Sequence, residues 1–142
     1  MTEQTTASIK AAILTVLDGG VGLTDVKTWF RSEPPPVKYT GLFGFVEWAG
    51  GQINPEAAQK RVFDNFYIVL ARKSAYSEEN EDKVLELVKA AEDLLDADPT
   101  LGGTTFDSWV SNREIQKYPI TQPVDWEIAA VRITLTTWRF KA

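Results

Sequence analysis

The side chains of this chain that could do chemistry are carboxylates, lysines, arginines, tyrosines and hydroxyls, because it contains neither histidine nor cysteine. Nucleophilic catalysis by Ser-His-Asp or Cys-His sets is thereby excluded. So are zinc sites built from Cys and His, and switching by imidazole. Asp93, Asp96 and Asp98 supply the oxygen ligands that Mg²⁺ or Ca²⁺ would need. They lack the alternating ligand pattern of a calcium loop, so a solvated helix face is the stronger reading. Glu47 and Asp64 lie in neighbouring apolar runs and would make a general acid–base pair if the register set them opposite each other. An exposed polar pair is the simpler expectation. The doublets Gly19-Gly20, Gly50-Gly51 and Gly102-Gly103 have no phosphate-loop context and read as turns. Of the five tryptophans, Trp29 and Trp48 are the better candidates for stacking sugars or bases. Anchoring a core or an interface is the commoner use of tryptophan. Lys60-Arg61 and Arg72-Lys73 flank a strand as two small basic doublets, which is thin support for nucleic acid. No nucleophile, base or metal-ligand set converges. No catalytic residue, metal or cofactor is therefore expected.

The elements that must position these residues fit in one domain, 1–142. A chain of this length buries a sufficient core without disulfide or metal staples. The net charge of −5 argues against phosphate-backbone binding. The acidity is local. Residues 77–98 hold nine acids and two lysines, net −7, which leaves +2 for the remainder. The start, Met-Thr-Glu-Gln-Thr-Thr, does not have the pattern of a secretory signal. The apolar runs are too short to span a bilayer. Synthesis in the cytoplasm and no membrane contact are expected.

Ile9, Ile13, Val16 and Leu17 recur at helical spacing, which predicts a helix over Ala7–Asp18, with Thr5, Thr6 or Ser8 as cap. The stretch Val21–Lys38, with its three prolines, is expected to be extended and unpaired. Leu42–Ala49 and Val62–Arg72 read as a hairpin, with Gly50-Gly51 and Asn54-Pro55 in the connection. Phe66–Ala71 is apolar at both alternating sets, so both its faces should be covered. Val84, Leu87, Val88, Ala91, Leu94 and Leu95 mark a second helix, capped by Ser77 and ended by Pro99. Strands at Thr104–Glu114 and from Val124 onward follow, separated by Tyr118-Pro119 and Gln122-Pro123. In the last strand Trp126, Ile128 and Ala130 share one face, and Val131, Ile133 and Leu135 the other. Trp138 and Phe140 then return to the first. Such a strand is bulged, bent or flanked by different neighbours along its length. The expected fold is α+β. It has a four-stranded, mainly antiparallel sheet with two helices packed on one face, in the order α-β-β-α-β-β. Two helices leave the other sheet face uncovered, and its surplus apolar surface predicts a homo-oligomer.

The segment Leu94-Leu95-Asp96-Ala97-Asp98-Pro99-Thr100-Leu101-Gly102-Gly103-Thr104, followed by Asp107-Ser108-Trp109-Val110, resembles the tail terminator and tail-completion proteins of long-tailed bacteriophages. The order of elements around it resembles that family over nearly the whole chain. The resemblance implies a virion structural protein without catalytic activity. Such a protein assembles in the host cytoplasm and resides at the tail-neck region. It forms a ring, generally a hexamer, that caps the tail tube and ends its polymerisation. Its partners would be copies of itself, the tail tube protein and a head-tail connector or stopper protein, with no direct nucleic-acid readout. Under this reading Trp109, Trp126, Trp138 and Phe140 pack between subunits. The loop carrying Trp29, Phe30, Pro34, Pro35, Pro36 and Tyr39 meets a partner. Pro99, Leu101, Gly102 and Gly103 form a structural turn in which Leu101 plugs the core. A head-completion or neck connector ring is the alternative within this class. A small ligand-binding domain using the hairpin 42–70 is the alternative outside it.

Overall fold

A computed structural model describes residues 5–31, 42–54, 60–75, 79–120 and 126–140. Side chains are described over 5–31, 42–54, 60–72, 82–114 and 130–140. Helix α1 (Thr6–Leu17) begins at a reciprocal cap. Thr5 Oγ1 accepts from the Ser8 N–H at 3.1 Å, and Ser8 Oγ accepts from the Thr5 N–H at 2.9 Å. Two otherwise orphaned amides are satisfied this way. Strand β1 (Thr28–Phe30) follows, then β2 (Leu42–Asn54) and β3 (Arg61–Ala75). Helix α2 (Glu79–Ala97), β4 (Asp107–Ile120) and β5 (Trp126–Phe140) complete the chain. The proposed cap of α2, Ser77, lies outside the described residues.

The sheet has five strands in the order β1-β2-β3-β5-β4. It is mixed, because β1 runs parallel to β2 while the other pairs are antiparallel. The expected four-stranded sheet in the order α-β-β-α-β-β is therefore wrong. The extra strand comes from the Val21–Lys38 stretch, which was expected to stay unpaired. Proline denies backbone donors only where it stands, at 34–36, so Thr28–Phe30 keeps its amides and pairs with Phe43–Phe45. Two further expectations fail at strand ends. Gly50-Gly51 is not the hairpin turn. β2 continues to Asn54, and the register slips between Trp48 and Gly51, which marks a bulge. Gly50 sits there at φ +96, a conformation that side chains resist. Tyr118-Pro119 does not end β4 either, since pairing with β5 runs on to Ile120. β4 is an edge strand, where a missing proline N–H costs no ladder bond.

The two faces of the sheet differ. One face packs on both helices. Val46, Phe66, Ile68, Leu70, Val131, Ile133 and Leu135 meet Ile9, Ile13 and Leu17 of α1 there. Val84, Leu87, Val88, Ala91 and Leu95 of α2 join the same core. Each fully buried Val, Leu, Ile or Phe contributes about 1.5–3 kcal/mol. The opposite, outer face has a second buried cluster at one end, formed by Phe43, Phe45, Val69, Ala71 and Ala130 with Phe30 against it. β3 is thus buried on both faces over residues 68–71. β5 pairs with β3 without any register shift. Its changing pattern reflects different neighbours along its length, and the bulge lies in β4, between Val110 and Asn112.

Candidate interaction surface

Strand register sorts the outer face into three zones. At one end is the buried cluster just described. A polar band crosses the middle. Arg132 Nη2 donates to Glu114 Oε2 at 2.7 Å, and its guanidinium lies 4.1 Å from the Tyr67 ring centroid. Thr136 Oγ1 lies 2.8 Å from Asn65 Oδ1 and 3.0 Å from Ser111 Oγ. The third zone is aromatic and open to solvent. Trp138 lies at its centre. Its ring centroid is 4.2 Å from that of Phe106, 5.1 Å from Phe140 and 6.3 Å from Phe63. The Arg61 guanidinium lies over Trp138 at 5.3 Å. Trp109, opposite Thr136, shares this face. Phe106 is 58 % exposed, Trp109 43 % and Phe140 37 %. Several large rings left in water side by side form the kind of patch that usually marks a partner site.

The connection from α2 to β4 holds this zone in place. Asp98 ends the helix region by accepting the Gly102 N–H at 3.2 and 3.1 Å. The acid that opposes the helix dipole is thereby used to close the turn. Leu101 is 1 % exposed and adopts φ +50, followed by Gly102 at +67 and Gly103 at +88. The side chain drops into the helix-side core while the backbone makes a left-handed turn. Thr105 Oγ1 and the Phe106 N–H both donate to Trp138 O, at 2.6 and 2.8 Å. Ser108 Oγ donates to Pro99 O at 2.7 Å. These bonds turn Phe106 back across Trp138.

Beneath the patch, on the helix side, lies a buried polar cluster. Asp64 accepts from Trp48 Nε1 at 3.0 Å and from Thr6 Oγ1 at 3.4 Å, and its backbone carbonyl accepts from Thr137 Oγ1 at 3.3 Å. The bulge puts Asp64 opposite Gly51, while Glu47 faces Tyr67 on the other side of the sheet. Glu47 and Asp64 are therefore not a pair. Trp48, 57 % exposed, and Tyr67 also lie on opposite faces and do not line one pocket.

Helix α2 turns most of its described acids to solvent, while Glu92 reaches β4. Lys83 contacts Asp25 at 3.3 Å and Glu86 at 3.9 Å, Lys89 contacts Asp93 at 2.9 Å, and Arg113 contacts Glu92 at 3.5 Å. The hydrogen bond from Lys89 to Asp93, and then the charge of Asp93, raise the Lys89 pKa above its ordinary value. Asp82 and Asp96 are exposed and have no ion-pair partner among the described residues. A shallow groove of about 360 Å³ lies beside the helix, lined by Val21, Gly22, Glu86, Lys89, Ala90, Asp93 and Leu94. No cluster of three or more acids that could hold a metal occurs among the described residues.

Trp138 and Phe140 thus come together, Trp109 shares their face of the sheet without a ring contact to them, and the side chain of Trp126 is outside those described. Trp29 and Phe30 belong to β1 and are half-buried. Trp29 packs on the helix-side core over Gly44, with its indole N–H buried and unpaired, and Phe30 packs edge-on to Phe43 at 6.2 Å. Pro34, Pro35, Pro36 and Tyr39 lie outside the described residues. Sequence reasoning missed Phe106 and Phe63 as members of the patch. The available signal was the parity that Phe63 shares with Trp138 once β3 and β5 are paired.

No protein-family model matches this chain, and no curated protein sequence matches it. Among solved structures, a chain from the virion of a native gene transfer agent (GTA) particle is similar over 94 % of this chain and 94 % of its own length. The identity is 13 % and the TM-score 0.46, a likeness too coarse to carry an argument about function. No helix among the described residues is long and apolar enough to cross a membrane.

Proposed function

We propose that this protein is a structural component of a phage-like particle that works by self-association into a ring. In the finer reading the ring caps the tail tube, ends its polymerisation and offers a second surface for head-tail joining. The observation that carries the proposal is the open aromatic zone around Trp138. It is a sheet-mounted aromatic patch, held by an internal turn, and no group of metal-ligating side chains lies at it among the described residues. Such a surface suits binding to protein better than it suits chemistry. The likeness of the Asp98-to-Thr104 turn and its flanking elements to tail terminators gives the proposal its direction. In this reading no step is catalytic. One face of the ring matches the last ring of the tube, and the other face presents a different surface to the connector.

Incubating purified protein with tail tubes tests this. Electron microscopy should show a ring at one tube end, and tube growth should stop there. Tubes that keep growing, with no bound density at either end, would sink the capping role. Capture of a connector protein in place of tubes would move the role to the neck.

A further inference from the structure

The aromatic zone and the acidic helix lie on opposite sides of the two-layer domain. The rings stand on the outer face of the sheet, and α2 packs against the inner face. The two surfaces also complement each other. Around the rings the described charges are Lys60 and Arg61, which are exposed, and Asp107, whose carboxylate accepts the Ser108 N–H at 2.8 Å. On the helix side, the groove of about 360 Å³ is lined by apolar Val21, Ala90 and Leu94 and by Glu86, Lys89 and Asp93; Lys89 pairs with Asp93, which leaves Glu86, its side chain 74 % exposed, as the acid open to a partner. Val21, in the turn after α1, is 85 % exposed, and Leu85 of α2 is also exposed. The sequence places −7 over residues 77–98, which contain this helix, and +2 elsewhere.

We propose that the occupant of the aromatic zone is the α2 face of a second copy of this chain. Phe106, the most exposed ring of the zone, enters the groove beside Val21, and Arg61 meets Glu86. The contact is heterologous, using two different surfaces of one subunit. Repeated, it generates a closed ring when the rotation closes and a filament when it does not. A patch-on-patch dimer would bring Lys60 and Arg61 of one copy towards those of the other with Asp107 alone to offset them, whereas α2 is net acidic and offers Glu86. This inference rests on the ring reading above and specifies its contact.

Mixing two defective variants tests the proposal. Arg61→Ser/Phe106→Ser spoils only the aromatic surface, and Val21→Lys/Glu86→Lys spoils only the groove. All four positions are exposed, so each variant should keep the wild-type circular dichroism spectrum and a cooperative melt, with a lower midpoint once the subunit contact is lost. By light scattering, wild type should have a mass several times 15.9 kDa, and each variant alone should have the monomer mass of 15.9 kDa. The equimolar mixture should reach twice the monomer mass and stop, because one sound contact remains per pair. A wild-type oligomer that both variants retain would overturn the proposed contact and leave the ring reading standing. A groove variant that dimerises by itself would show a patch-on-patch contact and overturn it as well. A monomeric wild type at micromolar concentration would overturn both the contact and the self-assembled ring.

Discussion

Leu101 offers a test of how the turn before β4 is held. Its side chain is fully buried in the helix-side core, and its backbone is left-handed at φ +50. Leu101→Ala removes the buried side chain, at about 2–5 kcal/mol for a Leu→Ala core truncation, and near 3 for a site at a loop margin that can partly collapse. Alanine keeps a Cβ and so keeps the left-handed penalty, about 1–2 kcal/mol. Leu101→Gly loses the same side chain but removes that penalty. Glycine costs roughly 0.5–1 kcal/mol in additional chain entropy. At an ordinary buried position glycine is worse than alanine. Here the balance reverses, and the glycine variant should equal the alanine variant or exceed it by up to about 1 kcal/mol. Urea denaturation followed by tryptophan fluorescence reads this as a midpoint ordering, with the slope held constant. Both variants should melt roughly 10 °C below wild type. A glycine variant less stable than the alanine variant by more than about 1 kcal/mol would refute the reasoning, since the backbone would then hold no strain for glycine to relieve.

Further outcomes follow from the same packing. A Cβ on Gly44 would lie 2.4 Å from the Trp29 ring, so Gly44→Ala should cost about 1–3 kcal/mol through overpacking. Adding Trp29→Leu should recover part of that loss in the urea midpoint. Asp64→Ala removes the acceptor of Trp48 Nε1 and should cost about 1–3 kcal/mol. Asp64→Asn, which retains an acceptor oxygen, should cost less, and the Trp48 emission should shift most in the alanine variant. Asp93→Asn should return the raised Lys89 pKa towards its ordinary value, as read by NMR titration. Because the folded Lys89 pKa is raised, the pair's contribution is complete below the unfolded lysine pKa near ~10.4 and is lost as pH rises through the folded value. On the alkaline side, the wild-type advantage over Asp93→Asn should therefore fade through that range.

Both helices were legible because their apolar residues recur at 3.6-residue spacing over several turns. Ile9, Ile13 and Leu17, and Val84, Leu87, Val88, Ala91 and Leu95, are all buried. The long strands were legible as apolar runs, but their ends were not. A glycine doublet inside a strand reads as a turn unless the partner register is known, so the Gly50 bulge was hidden. With it were hidden the separation of Glu47 from Asp64 and the bond from Trp48 to Asp64. β1 was missed because three residues cannot show a period, and the prolines after it suggested an unpaired stretch. At the candidate surface, Trp138 and Phe140 were legible from strand alternation. Phe106 was assigned to a strand, whereas its position comes from Thr105 and its own amide reaching back to Trp138 O. That is a tertiary bond, and nothing local encodes it.

The sheet could associate through its edges or through its faces, and its construction separates the two. At one edge stands β1, only three residues long, too short to template another strand. At the other stands β4, fourteen residues long and unpaired on its outer side among the described strands. A strand of that length would be an open site for edge-to-edge pairing unless it were blunted. Its ladder slips at Ser111, and exposed Asn112, Arg113 and Glu114 follow directly. Pro119 then removes a donor further along. Each of these features obstructs a continuous partner strand. The aromatic zone carries no comparable obstruction, since its rings pack against one another, one pair stacked, one tilted and two edge-on, and Phe106, Trp109 and Phe140 stay exposed. These features agree better with the face contact proposed above than with an edge contact. In the contact proposed above both sheet edges stay free of the subunit joint, so the angle between neighbours would be set by ring packing and not by strand twist.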